Sequence, residues 1–289
     1  MDHAALFLDH LRERQAYLEQ GLAATGFEAL VISSGQAYTH FADDQDAPFR
    51  PVPHFRHYCP LPGPHHALVL RPGRKPLLVR YAPEDFWYEQ MPLGNPYWAA
   101  GFEIREAATL DAVWEAVGKP VRAAYLGNET ERAEAAGLAL NPEKLVAFLD
   151  WGRAYKSAYE VESLVQATIL GAKGHRAGRE AFRKGASELE IHHAFVQAVG
   201  CLDHELAFSS IVALEPKGAT LHYENKRAYR NGKVLLLDCG ARVNDYASDI
   251  TRSFPVNGRF SGPQKAAYEL VLAAQAAAIA EIRPGADWN

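Results

Sequence analysis

Apolar residues recur along the chain in two rhythms, and the change between them divides it. Through the first 150 residues, short runs that are apolar throughout alternate with stretches whose apolar positions return every three or four residues. Phe7, Leu11 and Leu18 stand at helical spacing in a helix predicted to run to Leu22. Ala29–Ser33, Ala67–Leu70, Pro76–Tyr81 and Arg122–Leu126 read as strands, and Leu110–Val117 as a helix. Residues 42–64, dense in Pro and His, read as turns. This alternation predicts an α/β domain over residues 1–150. From Asp150 the texture changes. Helices are predicted at 158–182 and 188–199, the second opened by Ser187 as N-cap with Glu190 three residues on, a capping box. Strands dominate from there to Phe254, and a last helix is predicted from Pro263 to Ile282. The junction at 149–156 has no Gly/Ser linker and is predicted to be a helix joining two packed domains.

The most telling stretch is Val234–Phe254, VLLLDCGARVNDYASDITRSF. Val234–Leu237 is an apolar run expected of a strand buried on both faces, Ala247–Phe254 is a second strand, and Asn244 and Asp245 between them favour a turn. A turn centred on Val243 and Asn244 places Asp238 directly opposite Asp249. A turn centred on Asn244 and Asp245 leaves both on one face as diagonal neighbours. Two bare carboxylates so close repel, so a divalent cation is expected between them, manganese or magnesium by oxygen preference, with zinc or cobalt as alternatives. The bland alternative is that each aspartate merely satisfies turn amides.

Composition narrows the class. A hydrophobic content of 48% over 289 residues can bury a large core, and this length suits two domains. A net charge of −5 gives no basic footprint for nucleic acid. Cys59, Cys201 and Cys239 form no CxxC pair, which suits a reducing cytoplasm, and Cys239 should point away from Asp238 as a packed thiol. The start carries charges through its first turns and does not read as an export signal, and Leu270–Ala280 is too short to span a bilayer. The chain contains no GxSxG, P-loop or GxGxxG. His54, His57, His65 and His66 lie among prolines with spacing unlike a helical zinc motif, His204 lacks a second histidine four residues on, and His192 and His193 are expected to be solvated on their helix.

Several segments resemble one family in the same order. DCGARVNDYASDITR resembles the strand pair that supplies the first two metal ligands in the pita-bread metallopeptidases. FADDQDAPFRPVPHFRHYCPL (Phe41–Leu61), PEDFWYE (Pro83–Glu89), RAYKSAYEVESL (Arg153–Leu164) and SSIVALEPKGATLHY (Ser209–Tyr223) resemble bacterial prolidases, the Xaa-Pro dipeptidases. The resemblance implies an α/β N-terminal domain of the creatinase/prolidase type (residues 1–150), followed by the first part of an α+β pita-bread catalytic domain (151–289). It implies two divalent ions, most often Mn²⁺ with Co²⁺ or Zn²⁺ as alternatives, held in part by Asp238 and Asp249, and dipeptides with a C-terminal proline as substrates. It further implies substrate contact by His222, a pocket lined by Asp44 and Trp87, the tryptophan reaching a partner subunit, and a homodimer. Phe208 stands where many prolidases carry a tyrosine, which puts a substrate hydrogen bond there in doubt.

The resemblance also implies a histidine and two glutamates downstream, one glutamate serving as general base. After Phe254 there is no His, and Glu269 and Glu281 fall in an Ala-rich, helix-like segment. The chain is therefore expected to be the N-terminal part of a longer protein, or a lesion product, and inactive alone. Three alternatives stand beside the dipeptidase: an aminopeptidase P-like enzyme taking longer substrates with proline second, a metal-free enzyme like creatinase, and a non-catalytic protein using the scaffold to bind peptides.

Overall fold

The computed structural model describes all residues except 1, 88, 90, 91, 231, 288 and 289, so Tyr88 of PEDFWYE and the final Asn289 lie outside the described residues. The chain forms two compact units. The first comprises Met1–Gln166 with Val243–Tyr246, the second Ala167–Arg242 with Ala247–Asn289.

The first unit runs α1 (His3–Thr25), β1 (Ala29–Ser33), α2 (Pro53–Tyr58), β2 (Ala67–Leu70), β3 (Leu77–Tyr81), β4 (Glu103–Ala107), α3 (Leu110–Val117), β5 (Ala123–Leu126), α4 (Thr130–Ala135), β6 (Ala139–Leu140) and α5 (Glu143–Arg153). Its sheet has the order β4-β3-β2-β1-β5-β6, mixed in direction: β1 is parallel to β5 and antiparallel to β2. The inner strands β1, β2 and β5 are apolar on both faces because both are covered. Leu30, Ile32, Leu68 and Leu78 pack with Phe7, Leu11 and Leu22 of α1 and Leu145 of α5, whereas Val31, Val69, Val79 and Tyr125 pack with Val113 and Val117 of α3. Each fully buried aliphatic side chain there contributes on the order of 2 kcal/mol.

Two local expectations fail here. The Pro- and His-rich stretch contains α2, begun by Pro53 at its first turn, where a missing N–H removes nothing. The junction at 149–156 is not one helix, since α5 ends at Arg153 and α6 (Ala158–Arg183) begins after a turn.

The second unit holds most of α6, then α7 (Glu188–Val199), β7 (Ile211–Leu214), β8 (Val234–Cys239), β9 (Arg242–Val243), β10 (Tyr246–Ala247), β11 (Ile250–Pro255) and α8 (Gly262–Glu281), with the β9–β10 tip counted in the first unit. Ser187 and Glu190 form the expected capping box. The antiparallel sheet has the order β11-β8-β7. Central strand β8 is not equally buried on its two faces: Leu235, Leu237 and Cys239 are fully buried against Phe182, Ile191 and Phe195, while Val234, Leu236 and Asp238 are half-buried. The expected Ala247–Phe254 strand is broken at Ser248 and Asp249. No residue of α8 is buried, and Leu270, Val271, Leu272 and Ile279 are exposed. Among the described residues no helix is long and apolar enough to cross a membrane.

Candidate metal centre

Alternation along β8 turns Cys239 into the apolar core and leaves Asp238 on the opposite, half-buried face. The hairpin turns at Asn244 (φ 50°) and Asp245 (φ 67°). Two consecutive left-handed residues are the signature of a type I′ turn, whose twist matches that of the strands it joins. That turn fixes the register, in which Thr251 faces Asp238 and Ile250 faces Cys239. The ladder then brings Asp249 beside Gly240, diagonal to Asp238 on the same face; of the two turn positions read in the sequence, the one centred on Asn244 and Asp245 is realised. A diagonal pair spans roughly 7–8 Å between backbones, room for carboxylates that converge on two ions about 3.5–4 Å apart.

The break at Ser248 and Asp249 has a local cause. A Cβ on Gly240 would lie 1.9 Å from the Ser248 carbonyl oxygen, and one on Gly171 of α6 would lie 2.6 Å from the Ser248 Oγ. Only glycines admit this approach. Ser248 repays it with hydrogen bonds: its N–H donates to the Ala241 oxygen at 2.9 Å, and its Oγ accepts from the Ala241 N–H at 3.0 Å.

Asp238 Oδ1 is buried and has no hydrogen-bond partner among the described residues. Burial raises the Asp238 pKa, the Thr251 hydroxyl draws it down, and repulsion from Asp249 raises it again, with a net upward shift. His175 of α6 acts on the same carboxyl. Its Nε2–H donates to the Cys239 oxygen at 3.2 Å, while its buried Nδ1 has no hydrogen-bond partner among the described residues, and burial outweighs that bond to lower its pKa. An unpartnered buried oxygen within a repelling carboxylate pair is the donor set that suits a hard divalent cation. His175 carried no sequence signal: a single histidine among glycines on a long helix is marked only by its burial.

Phe208 joins this site; its ring lies where a Cβ on Gly240 would meet it at 2.8 Å. His222 is exposed, in a turn after a 3₁₀ segment (Glu215–Ala219) rather than at a strand end. Its neighbour Tyr223 is held by Glu188, a second residue that carried no sequence signal of its own. Glu188 is fully buried and accepts from the Leu214 N–H (3.0 Å), Lys217 Nζ (3.1 Å), Tyr223 OH (2.8 Å) and Arg227 N–H (3.1 Å). Asp44 and Trp87 belong to exposed loops of the first unit. Trp87 is 83% exposed, edge-on to Phe86.

Another group of side chains close enough for an ion is His10, His57 and Glu160 in the first unit, with ligand atoms within 4.8 Å. Its hydrogen bonds are already complete. His10 accepts from Ser157 OH at 2.8 Å and donates to the His57 oxygen at 2.7 Å, while Glu160 accepts from His57 Nε2 at 3.2 Å, Tyr246 OH at 2.9 Å and the Ser157 N–H at 2.9 Å. Burial alone would raise Glu160, but the bonds from His57 and Ser157 outweigh it and hold the carboxyl down at about 2. Burial holds His10 at about 4. These bonds make the group a polar network that is satisfied without an ion. His57 thus joins His10 rather than the other histidines of its segment, since His54 pairs with Asp150, His65 with Glu129, and His66 with the Pro62 oxygen. His192, expected in solvent, is buried and bonded to Asp203; the short helix turn at Asp203–Glu205 folds back over it.

The profile of the Xaa-Pro dipeptidase N-terminal domain matches residues 5–151, and that of metallopeptidase family M24 matches residues 162–289. Among curated proteins, the chain is 37% identical over 294 residues to an Xaa-Pro dipeptidase of Stenotrophomonas maltophilia, covering all of this chain and 65% of that protein. It is 38% identical over 291 residues to an Xaa-Pro dipeptidase of Aeromonas hydrophila, covering 98% and 65%. Among solved structures, proline aminopeptidase P II from Yersinia pestis aligns with a TM-score of 0.73 at 23% identity, over 96% of this chain and 70% of that one. Aminopeptidase PepP of Pseudomonas aeruginosa aligns with 0.71 at 25%, over 96% and 69%. The fold is thus an N-terminal domain followed by M24 pita-bread architecture, a metallopeptidase family match that implies divalent metal ions. The chain spans about 65% of the length of the curated relatives it matches. Through residues 5–151 it belongs to the Xaa-Pro dipeptidase N-terminal domain family, and its remainder carries the M24 match.

Proposed function

We propose that this chain is part of a prolidase, a dinuclear metal-dependent hydrolase of dipeptides with a C-terminal proline. The observation that carries the reading is Asp238 with its buried, unpartnered oxygen, diagonal to Asp249 on one sheet face. In this reading Asp238 and Asp249 hold the ions, with manganese as the resident metal. Bound divalent ions at such a centre polarise the scissile carbonyl and bring the pKa of water toward neutrality. The remaining steps fall to the protein. The Thr251 hydroxyl opposes the upward pull on the Asp238 carboxyl, and His175, hydrogen-bonded to the Cys239 oxygen, favours its charged form. His222 donates to the substrate carboxylate or to the oxygen that gains charge. Asp44 and Trp87 recognise the substrate's N-terminal side, and Phe208 supplies an apolar wall. Residues 1–150 form the N-terminal α/β domain of the creatinase/prolidase type and 151–289 the start of the catalytic one. We also assign the protein to the cytoplasm, from its three free thiols, and to a homodimer.

The experiment is manganese-dependent hydrolysis of Leu-Pro beside Leu-Ala and the tripeptide Leu-Pro-Gly, with the protein carrying the whole catalytic domain. Turnover of Leu-Pro alone supports the dipeptidase. Preference for Leu-Pro-Gly supports the second reading, an aminopeptidase P. Turnover of none, with metal bound, contradicts both.

A further inference from the structure

We propose that the hollow between the β2–β3 turn and α3 binds a small multivalent anion of the diphosphate class. The hollow measures 640 Å³ and is walled by Arg71, Arg74 and Lys75 of the turn and by Glu103 and Arg105 of β4. Val69, Leu77 and Glu103 form one row across β2, β3 and β4, on the face that α3 covers. Val69 and Leu77 are buried under that helix, and its Ala116 lines the hollow at the end of the row.

The charges around this gap are not matched. Arg105 shares one Glu103 oxygen, through Nε at 3.1 Å and Nη2 at 2.6 Å. Arg71, Arg74 and Lys75 make no side-chain ion pair or hydrogen bond among the described residues. Four cations and one carboxylate thus line the hollow, in a chain whose net charge is −5. Like charges in a concavity raise the local potential and draw in a counter-ion, and guanidinium groups meet phosphate oxygens in a two-pronged geometry that a single carboxylate does not exhaust.

The turn is also held in place. The Arg74 N–H donates to the Arg71 oxygen at 3.2 Å. Gly73, left-handed at φ 63°, donates its N–H to Glu19 at 2.9 Å, and Gln15 donates to the Arg74 oxygen at 3.0 Å. With its backbone pinned to α1, the turn itself needs no ordering on binding, and the entropic cost left is that of fixing the side chains.

The test is calorimetric titration of this chain with inorganic pyrophosphate at low ionic strength, with orthophosphate alongside. The site predicts one saturable pyrophosphate per chain, weaker orthophosphate binding and loss of affinity with salt. Arg71→Gln with Arg74→Gln should weaken pyrophosphate by about tenfold or more. Arg132→Gln, a surface arginine paired with Asp111 outside this hollow, should leave it unchanged. Arg71 and Arg74 are exposed and Arg132 is half-buried, and a thermal melt checks that the variants stay folded. No saturable binding up to about 10 mM, or binding that the double variant does not weaken, would overturn the assignment.

Discussion

Thr251 faces Asp238 across the β8–β11 ladder, and its hydroxyl opposes the upward pull of burial and of Asp249 on the Asp238 carboxyl. Thr251→Val should therefore raise the Asp238 pKa further and move the pH midpoint of metal uptake upward. A carboxyl carbon titration by NMR, with and without the substitution, reads this directly. An unmoved Asp238 would show that the hydroxyl does not act on it.

A raised carboxyl pKa is a stability statement. Asp238 takes up its proton more readily in the folded chain than in the unfolded one, so the strain grows as pH rises through its folded pKa and is absent at lower pH. Asp238→Asn removes the repulsion from Asp249. We predict a melting temperature unchanged or higher by about 1–2 °C in metal-free buffer at neutral pH, together with loss of metal binding. A large destabilisation would mean that Asp238 holds the fold and not an ion.

Acid should destabilise the first unit through two buried histidines. Burial holds both His10 and His66 at about 4, below the usual 6.5. The unfolded chain binds these protons first, so stability is full above about pH 6.5 and falls until about pH 4, by roughly 3 kcal/mol for each histidine. Glu160, held at about 2, extends the loss below pH 4.5. Urea melts between pH 7 and 4 check the slope, which His10→Gln should flatten.

Glu188 satisfies four donors while fully buried. Glu188→Ala should cost about 3–5 kcal/mol by leaving them unpaired. It should also speed amide exchange across residues 214–227, the segment that carries His222. Exchange confined to other segments would argue against this clamp.

Much of the fold was legible because its strands are short apolar runs bounded by turn formers, as in β1 and β2, and because Ser187 and Glu190 announce α7. β4 was not legible. Its sequence, EIREA, is largely exposed at the sheet edge and becomes a strand through pairing with β3. In the site, composition could narrow the Asp238 and Asp249 pairing to two registers, and the positive φ angles of Asn244 and Asp245 decide between them. Glu188 and His175 stayed hidden because their roles depend on partners 26 or more residues away.

The most direct test of the central claim is manganese content and Leu-Pro turnover of the protein with its whole catalytic domain, beside the same protein carrying Asp249→Asn. The account predicts that the substitution abolishes metal-dependent turnover and lowers bound manganese while the fold persists. Full metal content and an unchanged rate in Asp249→Asn would contradict it.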